Sequence, residues 1–315
     1  MAKGELAFVE WLRGVCPADP ARVPVGIGDD MAAVALEGRL VLVTADMLLD
    51  GVHFVAARQP LDLIGRKAMG CSLSDCAAMA CQPRAAVVSV AFPDTMTMAD
   101  AQRLYEGMLA MGREYDCPIV GGDTTSWGHP LAVDVSMLAE PMTSRGPVQR
   151  DGARPGDVLM VTGRLGGSLR GRHLCFRPRL AEARRIANQL GASLHAMMDI
   201  SDGLALDAFR MCRASGCGAR FASDQVDAVI SDAAVEAALA DGRTPRDHAF
   251  HDGEDFELLM SVAPDAAARL SQKAEATCRP VGVVIAVASG EPTLSLRFPD
   301  GRTESVEPRG YEHFR

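Results

Sequence analysis

Five apolar runs of this 315-residue chain end on acidic residues. Val25–Asp30 reads VGIGDD, Leu40–Asp46 reads LVLVTAD and Pro118–Asp123 reads PIVGGD. Two more follow in the second half, HAMMDISD at His195–Asp202 and AFHDGED at Ala249–Asp255. The pattern predicts strand-like runs, each ending in a tight turn that carries one or more carboxylates. One acidic turn is ordinary, but this recurrence, several times with glycine beside the carboxylate, points to a shared site. Carboxylates brought together repel and stay ionised only with cations between them. Hard cations such as Mg²⁺ take oxygen ligands and bridge to substrate phosphates, so the chemistry implied is metal-assisted work on phosphates. Unrelated surface turns are the competing interpretation.

Asp75 sharpens the case. On a helix predicted over Pro60–Ala80, its neighbours at three- and four-residue spacing are Ala68, Cys71, Ser72, Ala78 and Met79. That is the small, apolar, buried face, whereas Arg66, Lys67 and Gly70 fall elsewhere. A carboxylate on such a face is costly unless paired or bound to a metal, and the surplus of other carboxylates favours the metal.

Several other routes to nucleotide chemistry fail. No G-x-x-x-x-G-K-[ST] loop occurs, and Gly26–Met31 begins like a dinucleotide fingerprint but ends in Met31, with acids where pyrophosphate would lie. Kinase H-R-D and D-F-G motifs, a G-x-S-x-G elbow and H-E-x-x-H are likewise absent from the sequence. Phosphate chemistry here must run through carboxylate-held metals.

The elements that position these residues alternate between helical and β-branched patterns. Strands are expected at Arg39–Thr44, Ala85–Phe92, Pro118–Val120, Leu131–Ala139, Asp157–Thr162, Gly218–Phe221, Phe256–Val262 and Val281–Val287. Helices are expected at Pro60–Ala80, Thr97–Tyr115, Arg179–Leu190, Gly203–Ser215, Ser231–Ala240 and Pro264–Ala276. Strands often come in pairs, which favours α+β over a doubly wound sheet. The length suits two domains, and the Pro-, Gly- and polar-rich stretch Pro141–Gly156 divides them into 1–145 and 146–315.

Composition narrows the class. Hydrophobic residues at 48% and charged residues at 23% give the ordinary globular balance, and the net charge of −9 argues against nucleic-acid and anionic-membrane partners. No apolar run approaches the ~18–20 residues of a transmembrane helix, and Glu5 and Glu10 interrupt any signal-peptide pattern. The nine cysteines include no C-x-x-C pair and are expected to be reduced core fillers, with Cys71, Cys76 and Cys81 spread around one helix. A cytoplasmic location follows from these expectations. His173 and His195 are expected to be solvated or capping groups, His248 and His251 to flank the Asp252–Asp255 turn, and Trp127 to be a nucleotide lid or an interface residue.

The ordered motifs resemble one family. They are GIGDD at Gly26–Asp30, TAD at Thr44–Asp46, DGVHF at Asp50–Phe54, SLSDCAAM at Ser72–Met79 and GGDTT at Gly121–Thr125. RDGARPGD at Arg150–Asp157, DISDGL at Asp199–Leu204, GED at Gly253–Asp255 and GYEHF at Gly310–Phe314 complete them. Together they resemble the thiamine-monophosphate kinases, within the aminoimidazole-ribotide-synthetase-like superfamily, whose members use ATP without a Walker loop. The resemblance implies a two-domain α+β fold and a homodimer whose N-terminal domains pair their sheets. It implies that Asp30, Asp46, Asp75, Asp123, Asp199 and Asp202, with oxygens from Thr44 and Ala45, hold several Mg²⁺ ions. Gly122, Asp123, Arg150, Ser201 and Tyr105 would contact ATP, and His53, Glu254 and Tyr311 thiamine monophosphate. The implied reaction is direct in-line transfer from ATP, giving thiamine diphosphate and ADP.

Three departures from the family pattern stand out. Ala45 replaces a frequent hydroxyl residue, and Met31 a smaller one. The segment Gly163–Leu180 (GRLGGSLRGRHLCFRPRL) is short, which bears on substrate identity. The rival expectation is a kinase or synthetase of the same fold acting on another small phosphorylated or nucleoside-like substrate.

Overall fold

The computed structural model describes residues 5–272, 278–286 and 292–311. The first half runs α1 (Glu5–Val15), β1 (Ala32–Leu36), β2 (Arg39–Leu49), α2 (Leu61–Ala78), β3 (Cys81–Pro93), α3 (Met98–Glu114), β4 (Ile119–Trp127) and β5 (Ala132–Pro141). The second runs β6 (Val158–Thr162), a 3₁₀ turn at Ser168–Arg170, α4 (Arg172–Cys175), α5 (Leu180–Leu190), a 3₁₀ turn at Gly191–Ser193, β7 (Leu194–Ile200), α6 (Leu204–Ala214), β8 (Cys217–Ala222) and α7 (Ser223–Asp227). It continues with α8 (Asp232–Asp241), α9 (Pro245–His251), β9 (Glu257–Val262), α10 (Pro264–Gln272), β10 (Cys278–Ala286), β11 (Leu294–Arg297) and β12 (Thr303–Ser305).

The described strands form two sheets, ordered β1-β2-β5-β3-β4 and β12-β11-β8-β10-β6-β9-β7. Among the described strands, only β3–β4 and β8–β11 pair in parallel, so the fold is α+β, as the paired strand patterns predict. The end of the helix expected to Ala276, residue Val287 and residues 312–314 of the GYEHF run lie outside the described residues.

Helix α2 is the hinge of the packing. It touches β2, β3 and β5 of the first sheet and α3 beside it, and it meets α4, α5 and β7 of the second half. Burial on all sides follows, and Lys67 and Gly70, expected off the buried face, are buried too. A single amphipathic stripe does not describe a helix sandwiched between two layers. Small residues make the sandwich possible. A Cβ on Gly65 would lie 1.9 Å from Leu104 O, and one on Gly107 1.8 Å from Asp62 O, so α2 and α3 meet backbone to backbone. Gly107→Ala is therefore expected to lose about 1–3 kcal/mol in urea unfolding, the usual cost of overpacking. Gly14→Ala makes the same chemical change in α1 with nothing within 4 Å and is expected to gain stability by about 1 kcal/mol. Equal effects at the two glycines would refute the close-approach explanation.

Three sequence expectations change. Thr44–Asp46 and Gly121–Thr125 lie inside β2 and β4 rather than in turns at their ends. In β2 the alternation of burial carries on beyond the acid to Leu48, whereas β4, exposed from Val120 onward, is extended by its parallel pairing with β3 as far as Trp127. Cys81 opens β3 rather than ending a helix, and Ala249–His251 belongs to α9 rather than to a strand. Seven of the nine cysteines are buried, while Cys16 and Cys175 are exposed.

Candidate active site

On β2, Leu42, Thr44 and Leu48 are buried and Asp46 half-buried, at the period of two that faces them towards α2, whereas Ala45 is exposed. Ala45 can therefore offer the site only backbone atoms. The SLSD run of α2 then reaches in two directions. Ser72 Oγ lies 2.7 Å from Asp46 Oδ2, Thr44 Oγ1 donates to Asp75 Oδ2 at 2.5 Å, and Ser74 Oγ donates to Asp199 Oδ2 at 2.6 Å. Asp199 stands near the end of β7, so these hydroxyls join carboxylates from both domains.

One oxygen each from Asp30, Asp75 and Asp199 lies within 4.8 Å of the others. Burial pushes Asp30 up to about 8, with Asp199 and Asp29 adding and Arg150 opposing. Burial likewise raises Asp199 to about 7, against the Ser74 hydrogen bond, and holds Asp75 well above the carboxylate range, with Asp46, Asp199 and Asp30 adding. Asp46 is raised by burial as well. Asp30 Oδ2 is buried with no hydrogen-bond partner among the described residues. A dense set of hard oxygen donors, mutually repelling and with an orphaned atom, fits a divalent cation such as Mg²⁺.

Around this cluster the GIGDD loop meets Arg150. Its guanidinium Nη2 donates to Asp30 Oδ1 at 2.5 Å, and its main-chain N–H donates to Asp29 Oδ2 at 3.2 Å. Asp202, by contrast, pairs with Arg210, and its main-chain N–H donates to Asp207 Oδ2 at 3.0 Å. Asp202 thus stands outside the aspartate trio. So does Asp123, which with Gly122 is exposed on edge strand β4. A Cβ on Gly122 would lie 1.8 Å from Val88 O, so only glycine fits against β3 there. Tyr105 and Thr124, the residue after Asp123, line a cavity of about 650 Å³ with Phe92 and Met96. Trp127 closes β4, its Nε1 donating to Pro130 O at 3.0 Å.

His53, Glu254 and Tyr311 gather at the other end. The His53 and Tyr311 rings are 6.3 Å apart, and the Tyr311 N–H donates to Asp202 O at 3.2 Å. Lys67 Nζ reaches Glu254 Oε1 at 2.6 Å and contacts the His53 carbonyl. Glu254 and Phe256 hold left-handed φ values of 62° and 50°, which non-glycine residues adopt only when the surroundings enforce them. Here Glu254 N–H donates to Ser201 O at 2.6 Å and Phe256 N–H to Ile200 O at 2.8 Å. Ser201 therefore sits between the aspartates and Glu254.

The short segment at Gly163–Leu180 braces the same loop. Gly166 N–H and Ser168 Oγ donate to Asp255, Arg172 pairs with it, and Phe176 stacks on Phe256 at 4.0 Å. His173 is buried rather than solvated, its Nδ1 2.9 Å from Ser168 O, and His195 pairs with Asp157. His248 pairs with Asp252 and Asp241. Sequence reasoning missed Asp29, Lys67, Ser72, Ser74 and Asp207. The serines were signalled by the alternating hydroxyls of SLSD, and Lys67 by being the one lysine in a helix otherwise rich in small and apolar residues.

Comparison with known proteins places this geometry in a class. Residues 28–140 match the AIR synthase related proteins, N-terminal domain, and residues 154–295 their C-terminal domain. The chain is therefore a two-domain AIR-synthase-related protein. Along 98% of its length it is 39% identical to the thiamine-monophosphate kinase of Rhodopirellula baltica, 97% of which is covered. It is 32% identical to that of Synechococcus elongatus, over 99% of this chain and 96% of the relative. The structure of AaThiL complexed with AMPPCP and TMP superposes with a TM-score of 0.83 at 27% identity, covering 99% and 97% of the two chains. The chain belongs to the thiamine-monophosphate kinase family. Among the described residues, no helix is long and apolar enough to cross a membrane.

Proposed function

We propose that this chain transfers the γ-phosphoryl group of ATP directly to thiamine monophosphate, giving thiamine diphosphate and ADP. The observation that carries the proposal is the convergence of Asp30, Asp75 and Asp199 next to Ser201, whose carbonyl holds the Glu254 loop of the acceptor end. An oxygen of the acceptor phosphate forms the new bond to the γ-phosphorus. The bond to the β–γ bridging oxygen breaks, and its electrons leave with ADP. A phosphate oxygen is already deprotonated at neutral pH, so no protein base is required.

Two polyanions must meet, and their repulsion is the main barrier. Asp30, Asp46, Asp75, Asp123, Asp199 and Asp202, with Thr44 and the main-chain oxygen of Ala45, would hold several Mg²⁺ ions, whose charge offsets that repulsion when bound. Arg150, with a planar fork of donors, would bind nucleotide phosphate beside Ser201, Gly122 and Asp123. Tyr105 would stack on or border the nucleotide in the cavity it lines. Glu254 supplies negative charge and Tyr311 an aromatic face for the thiazolium cation, and His53 closes that end.

The division into 1–145 and 146–315, a cytoplasmic location and a homodimer belong to the same proposal. Exposed Val87, Val120, Trp127 and Leu138 on the first sheet support pairing of N-terminal domains. The test is ADP release from MgATP with thiamine monophosphate, thiamine or no acceptor. Release is expected only with the monophosphate, with thiamine diphosphate as product. Nucleotide binding without that turnover would overturn the acceptor and redirect attention to nucleoside-like phosphate acceptors.

A further inference from the structure

One charged side chain at the acceptor end has no role so far. Lys67 is 1% exposed, yet its Nζ lies 2.6 and 2.8 Å from the two carboxylate oxygens of Glu254 and also contacts the His53 carbonyl. His53 follows β2, Lys67 belongs to α2 and Glu254 precedes β9, so a single ammonium ties three separate stretches of chain. Burial of a lone ammonium is expensive, and three oxygen acceptors match its three donors.

The contact fixes more than charge. The Glu254 backbone is already held, at φ 62° with its N–H on Ser201 O, so only the side-chain torsions remain free. Placing both carboxylate oxygens on Nζ removes that freedom.

We infer that Lys67 is a positioning residue for the phosphoryl acceptor: it locks the Glu254 carboxylate against the His53 loop, across the domain boundary, and so shapes the subsite that recognises the cationic ring of the substrate. The inference rests on the functional reading above. It predicts a selective defect. Lys67→Met, similar in length and without charge, is expected to raise KM for thiamine monophosphate at least tenfold while KM for ATP and kcat change less than threefold. Glu254→Gln removes the group that Lys67 acts through. In that background, adding Lys67→Met is expected to raise the acceptor KM less than threefold further. The double variant leaves no unpaired buried charge, so it keeps the comparison available where the single Lys67→Met chain fails to fold.

Steady-state kinetics with each substrate varied in turn decides the matter. An unchanged or lowered acceptor KM in Lys67→Met would overturn the inference. Parallel loss of ATP and acceptor affinity would too, because a general packing defect has no reason to choose one substrate. Multiplicative effects in the double variant would show that Lys67 acts independently of Glu254 and would also overturn it. Wild-type enzyme is the control: absence of turnover with thiamine monophosphate refutes the functional reading itself, whereas normal wild-type turnover with unselective variants refutes only the role of Lys67.

Discussion

Asp75→Asn is expected to cut kcat by on the order of 10²–10³, the range seen when one preorganised group that stabilises transition-state charge is lost. Its place explains why. Asp75 joins Asp30 and Asp199 within 4.8 Å, accepts the Thr44 hydroxyl, and has its carboxyl held well above the usual range by burial and by Asp46, Asp199 and Asp30. Such repulsion disfavours the folded chain until cations arrive. Without Mg²⁺, the Asn variant is therefore expected to melt at or above the wild-type temperature, and saturating Mg²⁺ is expected to raise the wild-type melting temperature much more than that of the variant. Equal stabilisation of both proteins by Mg²⁺ would remove Asp75 from the metal-binding set.

Arg150→Met carries the second large effect. Arg150 is the cation that Asp29 and Asp30 share, and removing one partner of such a buried pair costs about 3–5 kcal/mol. That loss should appear in metal-free urea unfolding at pH 8, together with a raised KM for ATP. The pH dependence has a definite sign. Asp30 in the folded chain titrates at about 8 and Asp199 at about 7, whereas unfolded Asp titrates near 3.9. Between these values the folded state holds protons that the unfolded state has lost, so metal-free stability falls as pH rises from about 4 towards 8. The Arg150→Met deficit should be smaller at pH 6 than at pH 8, and Mg²⁺ should bind more weakly at pH 6, where protons compete for the same oxygens. A deficit independent of pH would show that Arg150 stabilises the chain by packing rather than by countering the aspartates.

Much of the chemistry was legible in the residues. The recurrence of acids after apolar runs, Asp75 among small residues, and the ordered motifs from GIGDD to GED all lie in the linear pattern. Their local settings were less legible. TAD sits inside β2 because alternation of burial continues through the acid, GGDTT sits inside β4 because that strand pairs along β3 as far as Trp127, and α2 supplies hydroxyl partners that no inspection of β2 alone reveals. The short Gly163–Leu180 segment reads as a departure that bears on substrate identity. The structure adds that it braces Asp255 and stacks Phe176 on Phe256, next to Glu254.

By itself the sequence determined the α+β class and the kind of chemistry, because strand and helix periodicities and the choice of acidic side chains are local properties of the chain. Only the tertiary structure decided which groups share a site. Lys67 falls on the wrong side of a helix judged by one apolar stripe, yet α2 is covered on all sides and the ammonium finds its oxygens on residues 14 and 187 positions away. Asp29 and Asp30 meet Arg150 across 121 and 120 positions in the same way. Long-range pairing depends on how two sheets close around a common helix, and that closure has no signature in the spacing of neighbours along the chain.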